Sequence, residues 1–205
     1  MFVGCQFSLY PMTDRFVEVI LSAVDGLKDR GDVRVETDDL STLLVGSPRA
    51  VFGGIERCFL KAAAAPGHLV LNATFSRGCP GEPDDPLCRP EKPQAAGALL
   101  DVPHVRESGC EVAAQFAVYP LGDEGYMDVI AREIEQSKRA GVFAGGKHFC
   151  TRLGGDAARV FAAMLNAFER AGERTGHVVL TATVSKGSPT RSPSAGERTG
   201  RGGKA

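Results

Sequence analysis

The sequence lacks several features that would assign the chain to a specialised class. It has no tryptophan, and its 24 basic and 25 acidic residues give a net charge of −1, which argues against a dedicated nucleic-acid binder. No apolar run approaches the ~18 residues of a membrane-spanning helix. The N-terminus, Met1 to Gly4, lacks the basic and apolar regions of a signal peptide. We therefore expect a cytoplasmic protein that does not bind nucleic acid and does not insert directly into a membrane.

The cysteines also lack any pattern that binds metal. There is no CxxC pair and no zinc-finger spacing, so we predict no metal site and no cofactor. Three cysteines fall in apolar segments and three in or beside a proline-rich segment: Cys5, Cys58 and Cys150, then Cys79, Cys88 and Cys110. The first group is typical of reduced packing cysteines. For the second group, a disulfide or a reactive thiol stays an alternative.

The most informative feature of the sequence is an internal duplication. QFSLYPM at residues 6–12 returns as QFAVYPL at residues 115–121, with four of seven positions identical at an offset of 109. GHLVLNATFSRGCP at residues 67–80 returns as GHVVLTATVSKGSP at residues 176–189, with nine of fourteen positions identical at the same offset. Two long matches in one register indicate that the two halves share one fold.

The elements of each half can be predicted from periodicity and capping signals. In the first half they are a strand at 5–11, a helix capped by Thr13 or Asp14, strands at 33–37 and 40–46, a helix capped by Ser47 that starts at Pro48, and a strand at 68–76. The apolar positions are Phe16, Ile20, Val24 and Leu27 in the first helix, and Val51, Phe52, Ile55 and Phe59 in the second. In the second half, the first helix carries Tyr126, Ile130 and Ile134, and the second is capped by Asp156. The order βαββαβ predicts an α+β fold, a tandem duplication of a ferredoxin-like unit. Each unit has a four-stranded antiparallel sheet in the order 4-1-3-2, with both helices on one face.

Composition divides the chain into four segments. We predict a first ferredoxin-like repeat at 1–80, a Pro-rich acidic linker at 81–111, a second repeat at 112–187 and a disordered basic tail at 188–205. Residues 77–111 contain six prolines and have a net charge of −3, whereas residues 186–205 have a net charge of +4.

Helices on one face leave the other face of each sheet uncovered. The alternation of the first and last strands of each half predicts a mixed polar and apolar surface there: Gln6, Ser8, Tyr10, Val70, Asn72 and Thr74, with Gln115, Ala117, Tyr119, Val179, Thr181 and Thr183 in the second half. Such a surface suits a contact between two sheets, either between the halves or across a dimer, or a small pocket. We expect a dimer that buries these open faces, because an exposed patch of this size is a liability in a monomer.

No catalytic group is predicted. His68 and His177 are equivalent and open the last strand of each half, where a hydrogen-bonded structural histidine is expected; His104 lies in the linker. The acidic pair Asp38-Asp39 is replaced by Lys147-His148 in the second half, which a paired-carboxylate mechanism would not survive. The spacing favours no nucleophile–base arrangement.

Several strings resemble the YkoF family of thiamin- and hydroxymethylpyrimidine (HMP)-binding proteins. In the first half they are QFSLYPMTD (6–14), LST (40–42) followed by GS (46–47), and NATFS (72–76) with GCPG (78–81); in the second they are QFAVYP (115–120), GD (155–156) and the motif from His177. The resemblance covers about residues 4–190. It implies two ferredoxin-like repeats, a tight homodimer, one ligand site per repeat, and a role in HMP or thiamin salvage and uptake, with a functional link to transport and no chemical step. Arg152 departs from the pattern, since an acidic residue is expected there.

The strand order places one candidate site in each repeat. The backbone at Leu9 and Tyr10 should lie beside Thr42, and a strand end supplies unpaired backbone groups while the threonine supplies a hydroxyl. Thr42 shares a face with Leu40 and Leu44, which points to a pocket between sheet and helix. The predicted ligand-binding residues are Leu9, Tyr10, Thr42 and Asn72 in repeat 1, and Val118, Tyr119, Thr151 and Thr181 in repeat 2.

The two sites should bind the same ligand with different affinity. Leu43 stands opposite Arg152 in the alignment of the halves, Ser41 opposite Cys150, and Asn72 opposite Thr181. Two other classes of function stay open at this stage. One is an ACT-like regulatory or interaction module that binds another small effector, and the other is an enzyme acting on a thiamin-related compound.

Overall fold

A computed structural model describes residues 3–28, 31–79 and 96–190 of the chain. Two βαββαβ units follow one another. The first consists of β1 (Val3–Pro11), α1 (Phe16–Lys28), β2 (Val33–Thr37), β3 (Thr42–Gly46), α2 (Pro48–Ala63) and β4 (Leu69–Arg77). The second consists of β5 (Glu111–Leu121), α3 (Tyr126–Arg139), β6 (Phe143–Gly146), β7 (Thr151–Asp156), α4 (Ala157–Ala171) and β8 (His177–Lys186). The predicted fold class and order of elements are confirmed.

The two sheets join edge to edge into one eight-stranded sheet. Each repeat has the expected internal order, and β4 pairs antiparallel with β8, which gives the order β2-β3-β1-β4-β8-β5-β7-β6. The sequence interpretation allowed for the halves to stack face to face, and in the structure they do not. Ala73 faces Ala182 in the β4–β8 ladder. Because these two alanines are equivalent at the offset of 109, they mark a pseudo-two-fold axis between the repeats.

A single hydrophobic core lies between the sheet and the helices. It draws on both repeats, and α2 contacts α4 across the pseudo-two-fold axis. Phe52 on α2 stacks on Phe75 of β4 with ring centroids 3.9 Å apart, and it meets Phe168 on α4 at 5.6 Å. Leu71 and Phe75 are fully buried, whereas the alternate residues of β4 face the open side. The predicted division of β4 between helix side and open side is therefore confirmed.

Close backbone packing at the joint explains why the glycines there recur in both repeats. Gly78 has φ +73°, and a Cβ atom added to it would lie 2.2 Å from the carbonyl oxygen of Gly176. Its equivalent Gly187 has φ +69°, and an added Cβ would lie 2.9 Å from the carbonyl oxygen of Gly67. The end of β4 thus runs against the start of β8, and the end of β8 against the start of β4. Glycine supplies both the left-handed backbone and the missing side chain.

Two helix N-termini show the predicted caps. Ser47 precedes Pro48, and its hydroxyl accepts a hydrogen bond from Ala50 N at 3.3 Å. The Asp156 carboxylate accepts from Ala158 N at 2.9 Å at the start of α4. It also accepts from Ser108 N at 3.0 Å, Ser108 Oγ at 2.9 Å and Gly109 N at 2.8 Å. Asp156 therefore caps α4 and fixes the end of the linker to it.

The described part of the linker, residues 96–110, packs on α4. The side chain of Asn166 holds the backbone of Leu100 on both sides, since Leu100 N donates to Oδ1 and Nδ2 donates to Leu100 O, each at 2.8 Å. Gly97 N donates to Glu169 Oε2 at 3.0 Å. The remainder of the predicted linker, at 81–95, and the tail beyond residue 190 lie outside the described residues.

The apolar faces predicted for α1 and α3 are partly wrong. Phe16 and Tyr126 are 51% and 49% exposed, so the first turn of each helix lies beyond the core. The buried face of α3 consists of Val129, Glu133 and Ser137. Two of these three side chains are polar. The prediction relied on the spacing of apolar residues, and it therefore assigned the neighbouring isoleucines to the buried face instead.

Three further observations bear on the class of protein. Within residues 3–28, 31–79 and 96–190, no helix is long and apolar enough to cross a membrane. In the same ranges, no group of three or more His, Cys, Asp or Glu side chains could hold a metal ion. The cysteines in this part of the chain are free thiols, and burial raises the pKa of Cys58 to about 12. Cys88 lies outside the described residues.

The joint between the repeats predicts a test with a matched control. Gly78→Ala should destabilise the protein, because the added methyl group meets backbone and the residue keeps a positive φ. Gly122 also has a positive φ, of +76°, but nothing lies within 4 Å of its added Cβ, so Gly122→Ala measures strain alone. We expect about 1–2 kcal/mol for Gly122→Ala and about 1–3 kcal/mol more for Gly78→Ala. Thermal unfolding measures both, and equal losses would contradict this account of the joint.

The Asp156 cap predicts a pH-dependent stability. Burial by itself would raise the pKa of Asp156, but the hydrogen bonds from Ser108, Ala158 and Gly109 together hold it below the usual pKa of an aspartate. The stabilisation is therefore complete above pH ~4 and is lost as the pH falls through the lowered pKa. Asp156→Asn should reduce the free energy of unfolding by about 1–3 kcal/mol at neutral pH, and the difference from wild type should shrink below pH ~4. Ser47→Ala, which removes the equivalent cap of α2, should cost about 1 kcal/mol with no such dependence. A constant Asp156→Asn difference from pH 7 to 3 would refute the assignment.

Candidate functional site

A cavity of about 320 Å³ opens at one end of the sheet in repeat 2, between β5, α3 and the β6–β7 turn. Its volume falls at the lower end of the ~300–1,000 Å³ usual for small-molecule sites. Three of the predicted residues of repeat 2 line it: Val118, Tyr119 and Thr151. The apolar part of the lining comes from the β5 and α3 side chains Phe116, Met127, Ile130 and Ile134. The predicted pocket between sheet and helix therefore has a counterpart in the structure.

Part of the cavity lies where β5 runs on past the start of its neighbour β7. The two strands pair from Glu111 to Phe116, where β7 begins at Thr151. Beyond Phe116, β5 runs on to Leu121 and pairs only with β8 on its other side. In this stretch the backbone of Val118 and Tyr119 has no strand partner on the cavity side among the described residues. These are the unpaired backbone groups that a polar ligand can use.

Thr151 and its equivalent Thr42 differ in what their hydroxyl groups contact. Both residues are buried, with 8% and 5% exposure. Thr42 Oγ1 lies 3.1 Å from Thr37 Oγ1, so the two hydroxyls share a hydrogen bond. Gly146 replaces Thr37 in repeat 2, and the hydroxyl of Thr151 has no hydrogen-bond partner within the described ranges. Thr151 therefore has a hydroxyl available inside the cavity.

The β2–β3 turn of repeat 1 is held against the sheet more firmly than its counterpart. Ser8 Oγ donates to the carbonyl oxygen of Leu40 at 2.9 Å, which fixes the turn to β1. Asp38 Oδ1 accepts from the backbone N–H groups of Ser41 and Leu40, and these bonds lower the pKa of Asp38. Repeat 2 has Ala117 in place of Ser8, so the bond to the turn is missing there.

Polar contacts of a different kind hold the β6–β7 turn of repeat 2. Lys147 Nζ lies 3.3 Å and Cys150 Sγ 3.7 Å from Gln115 Oε1. These contacts lie on the side of the sheet that faces away from the helices, so the space between the turn and the helices stays open. The turn therefore forms one wall of the cavity in repeat 2.

The sequence analysis missed a buried acid that lines the cavity, Glu133, which forms an ion pair with Arg170. Glu133 is 2% exposed and lines this cavity, and it also lines a second cavity of about 350 Å³ beneath linker residues 99–103. Arg170 Nε donates to both carboxylate oxygens of Glu133 at 3.0 Å, and Arg170 Nη2 donates to Oε2 at 2.5 Å. Glu133 follows the buried Val129 by four residues and therefore lies on the same face of α3. This spacing was the feature of the sequence that could have indicated a buried acid.

The remaining predicted residues do not join this cavity. Asn72 and Thr181 lie on the open face, where both line a groove of about 680 Å³ across the two repeats. Thr183 Oγ1 donates to Asn72 Oδ1 at 3.0 Å across the β4–β8 ladder. In repeat 1, Leu9 and Thr42 are buried on the helix side, whereas Tyr10 is 50% exposed on the open side. The four residues predicted for each repeat therefore lie on two faces of the sheet.

The histidines and Arg152 have separate surroundings. The structural interpretation of His68 is confirmed, since Nε2 lies 2.9 Å from Ser185 Oγ across the joint. The hydroxyl of Ser76, the equivalent of Ser185, has no partner in the described part of the chain. His148 lines the cavity of repeat 2, whereas Arg152 is exposed and lines neither that cavity nor the open-face groove.

Two ferredoxin-like units fused into one sheet, with a cavity at the end of a long strand, define the class: a tandem ferredoxin-like protein with a small-molecule-sized pocket. The chain matches the model of the YKOF-related family twice, at residues 2–82 and 111–191. It is also 38% identical over 190 residues to the Bacillus subtilis (strain 168) protein named "Putative HMP/thiamine-binding protein YkoF", covering 92% of each chain. The chain belongs to the YkoF-related family, which confirms the resemblance found in the sequence motifs.

Proposed function

We propose that this protein binds thiamin or HMP without changing it chemically, and that it serves the salvage and uptake of these compounds in connection with a transport system. The observation that carries the proposal is the cavity of repeat 2, where the hydroxyl of Thr151 and the unpaired edge of β5 meet an apolar wall. The printed name of the Bacillus subtilis relative supports this class of ligand.

The chemistry of an aminopyrimidine fits this lining. The ring presents an amino donor and two nitrogen acceptors, and a hydroxyl together with backbone N–H and C=O groups can satisfy them. The flat ring suits the space between Phe116 and the α3 isoleucines. The thiazolium ring of thiamin is cationic, and the face of Tyr119 at the rim can stabilise it.

The lining of the cavity also supports binding over catalysis. The titratable side chains that line it are Tyr119, Glu133, Lys147, His148 and Cys150. Among the hydrogen bonds of the described residues, none joins two of these as a nucleophile and a base. Glu133 is held by Arg170, and the rings of His148 and Phe149 lie 6.2 Å apart. We therefore assign no catalytic residue.

Calorimetric titration with thiamin, HMP, thiamin phosphate and amino acids tests the proposed function. Saturable binding of thiamin or HMP is the expected result. Binding of amino acids alone would favour an ACT-like regulatory module instead. Mass spectrometry of the ligand after long incubation separates binding from turnover, and a changed mass would favour an enzyme acting on a thiamin-related compound.

Substitutions of the two threonines should have separate effects on two binding events that differ in affinity. Thr151→Val removes the free hydroxyl at almost constant volume, and the loss of one hydrogen bond to a buried ligand costs roughly 1–3 kcal/mol, or about 5- to 150-fold in affinity. Thr42→Val should weaken the other event and spare this one. The Thr151 event should be the tighter of the two, because Thr42 already shares a hydrogen bond with Thr37. Titration showing one site per chain, or changes within about twofold (~0.4 kcal/mol) for both variants, would refute the assignment.

We further propose that the protein is a homodimer whose open sheet faces are in contact. The open face presents strands of both repeats about the pseudo-two-fold axis, so it can pair with a second copy of itself. Two apolar side chains at the turn tips flank this face, Leu40 at 80% and Phe149 at 90% exposure. Burying them against a second copy removes apolar surface from water.

A substitution on the open face tests the dimer. Thr74→Arg places a charge on the open side of β4, where burial without a partner is costly. Sedimentation at micromolar concentration should give a dimer for wild type and a monomer for Thr74→Arg. Leu21→Arg on the exposed side of α1 (57% exposed) is the matched control and should leave the dimer intact. A stable wild-type monomer, or equal behaviour of the two variants, would overturn this arrangement.

A further inference from the structure

We propose that the cavity of about 350 Å³ beneath linker residues 99–103 is a second small-molecule site, which takes an organic carboxylate with an apolar body. This linker cavity lies between α3, α4 and the linker, and it shares only Phe116 and Glu133 with the repeat-2 cavity. Its volume falls in the range usual for small-molecule sites. The proposal goes beyond the binding of thiamin or HMP and does not depend on it.

The linker forms the outer wall of this cavity and is fixed in place from beneath. Leu100 N donates to Asn166 Oδ1, and Asn166 Nδ2 donates to Leu100 O, each at 2.8 Å. Asn166 is itself buried on α4. The linker adds apolar side chains that line the cavity together with two alanines of α4: Leu99, Val102 and Pro103, with Ala163 and Ala167. A ligand therefore enters a site whose cover is already ordered, which lowers the entropic cost of binding.

Arg170 presents one guanidinium nitrogen to this cavity that no protein group uses. Its Nε and Nη2 atoms donate to Glu133 at 2.5–3.0 Å, and Arg132 Nε adds a bond to Glu133 at 3.3 Å. Nε and Nη2 lie on one edge of the planar guanidinium, so Nη1 points away from Glu133. Within residues 3–28, 31–79 and 96–190, Nη1 makes no hydrogen bond, and it is not sealed from solvent. Because Arg170 lines the linker cavity and not the repeat-2 cavity, the N–H groups of Nη1 are available to an acceptor there.

Two further donors on α3 line the same cavity. Gln136 is half-buried and Arg139 is exposed, and in the described part of the chain neither side chain makes a hydrogen bond or an ion pair. The one acid at the rim, Asp101, is 72% exposed and already pairs with His104 Nδ1 at 2.8 Å. The unused groups therefore belong to two cations and an amide, which favours an anionic acceptor.

An organic carboxylate matches both parts of this lining. Planar guanidinium groups bind carboxylates through two parallel N–H···O bonds, which a single neutral acceptor cannot accept. The rest of the lining includes buried apolar side chains from three elements: Phe116 of β5, Val102 of the linker and Ala163 of α4. These side chains suit a hydrocarbon body, because apolar surface is then removed from water on both partners.

Repeat 1 lacks the donors of this site. The first helices of the two repeats align at an offset of 110 and the second helices at 109. Gly26 therefore occupies the place of Gln136, and Lys61 that of Arg170. A Cβ atom added to Gly26 would lie 3.7 Å from Lys61 Nζ, so the lysine occupies space between α1 and α2. The fold of the repeat thus does not require the residues that line the linker cavity.

Calorimetric titration of the full chain with 3-phenylpropanoate tests the site. We expect saturable binding, and about tenfold or more weaker binding of the uncharged 3-phenylpropanamide, because charge-assisted hydrogen bonds are lost. Arg139→Gln should weaken binding of the carboxylate by about fivefold or more. Lys138→Gln removes the same charge from the next residue, which pairs with Glu135 outside the cavity, and should change the affinity by less than about twofold. No binding of the carboxylate, equal binding of carboxylate and amide, or equal effects of the two variants would overturn the proposal.

A cavity-filling variant locates the site. Ala163 lines the linker cavity and not the repeat-2 cavity, so Ala163→Leu should abolish binding of 3-phenylpropanoate and leave thiamin or HMP binding unchanged. Ala131→Leu adds the same group on the exposed side of α3 and should bind the carboxylate as wild type does. Wild-type binding of the carboxylate by Ala163→Leu would contradict the site. If Ala163→Leu does not fold, the comparison of Arg139→Gln with Lys138→Gln decides, since both residues are exposed. Absence of thiamin and HMP binding in wild type would refute the proposed function and leave this site in place.

Discussion

The β4–β8 ladder is the interaction on which the rest of the structure depends. It pairs what would be the exposed edge strands of two ferredoxin-like units, and unpaired edges invite aggregation. It also brings α2 and α4 into contact, so that Phe52 packs on aromatic rings from both repeats in one core. Because all the helices pack on one side of the resulting sheet, the opposite side becomes one continuous open face with a pseudo-two-fold axis at Ala73 and Ala182.

The ladder also explains which residues the two repeats share. At a two-fold joint, each strand end meets the start of its own equivalent, so a change in one repeat disturbs contacts with the other. Gly78 and Gly187 are both held this way, by the backbone of the opposite repeat. Far from the joint no such coupling acts, and Ser8 and Ala117 have diverged at equivalent positions. The candidate site lies in this second region, between β5, α3 and the β6–β7 turn.

The sequence predicted the fold of each repeat because that information is local. Alternation in β1, the Ser47-Pro48 cap and the apolar face of α2 all appear in the structure as expected. The pairing of β4 with β8 was not predictable in this way, because the residue pattern of a single strand does not indicate which other strand it pairs with. Glu133 was missed because apolar periodicity passes over a buried acid whose partner, Arg170, is distant in sequence. Asn72 and Thr42 were predicted to line one site, but they lie on opposite faces of the sheet.

The difference proposed between the two sites follows from hydrogen bonds that the protein makes with itself. A ligand that uses the hydroxyl of Thr42 must compete with Thr37, whereas no hydrogen bond within the described residues competes for the hydroxyl of Thr151. Exchanging an internal bond for one to the ligand forgoes a net of about 0.5–1.5 kcal/mol, or roughly 2- to 12-fold in affinity. The bond from Ser8 to Leu40 adds to this, because the turn must release it before a ligand enters from that side. The two repeats therefore differ at this threonine: the hydroxyl of Thr42 is satisfied within the protein, whereas that of Thr151 is available to a ligand.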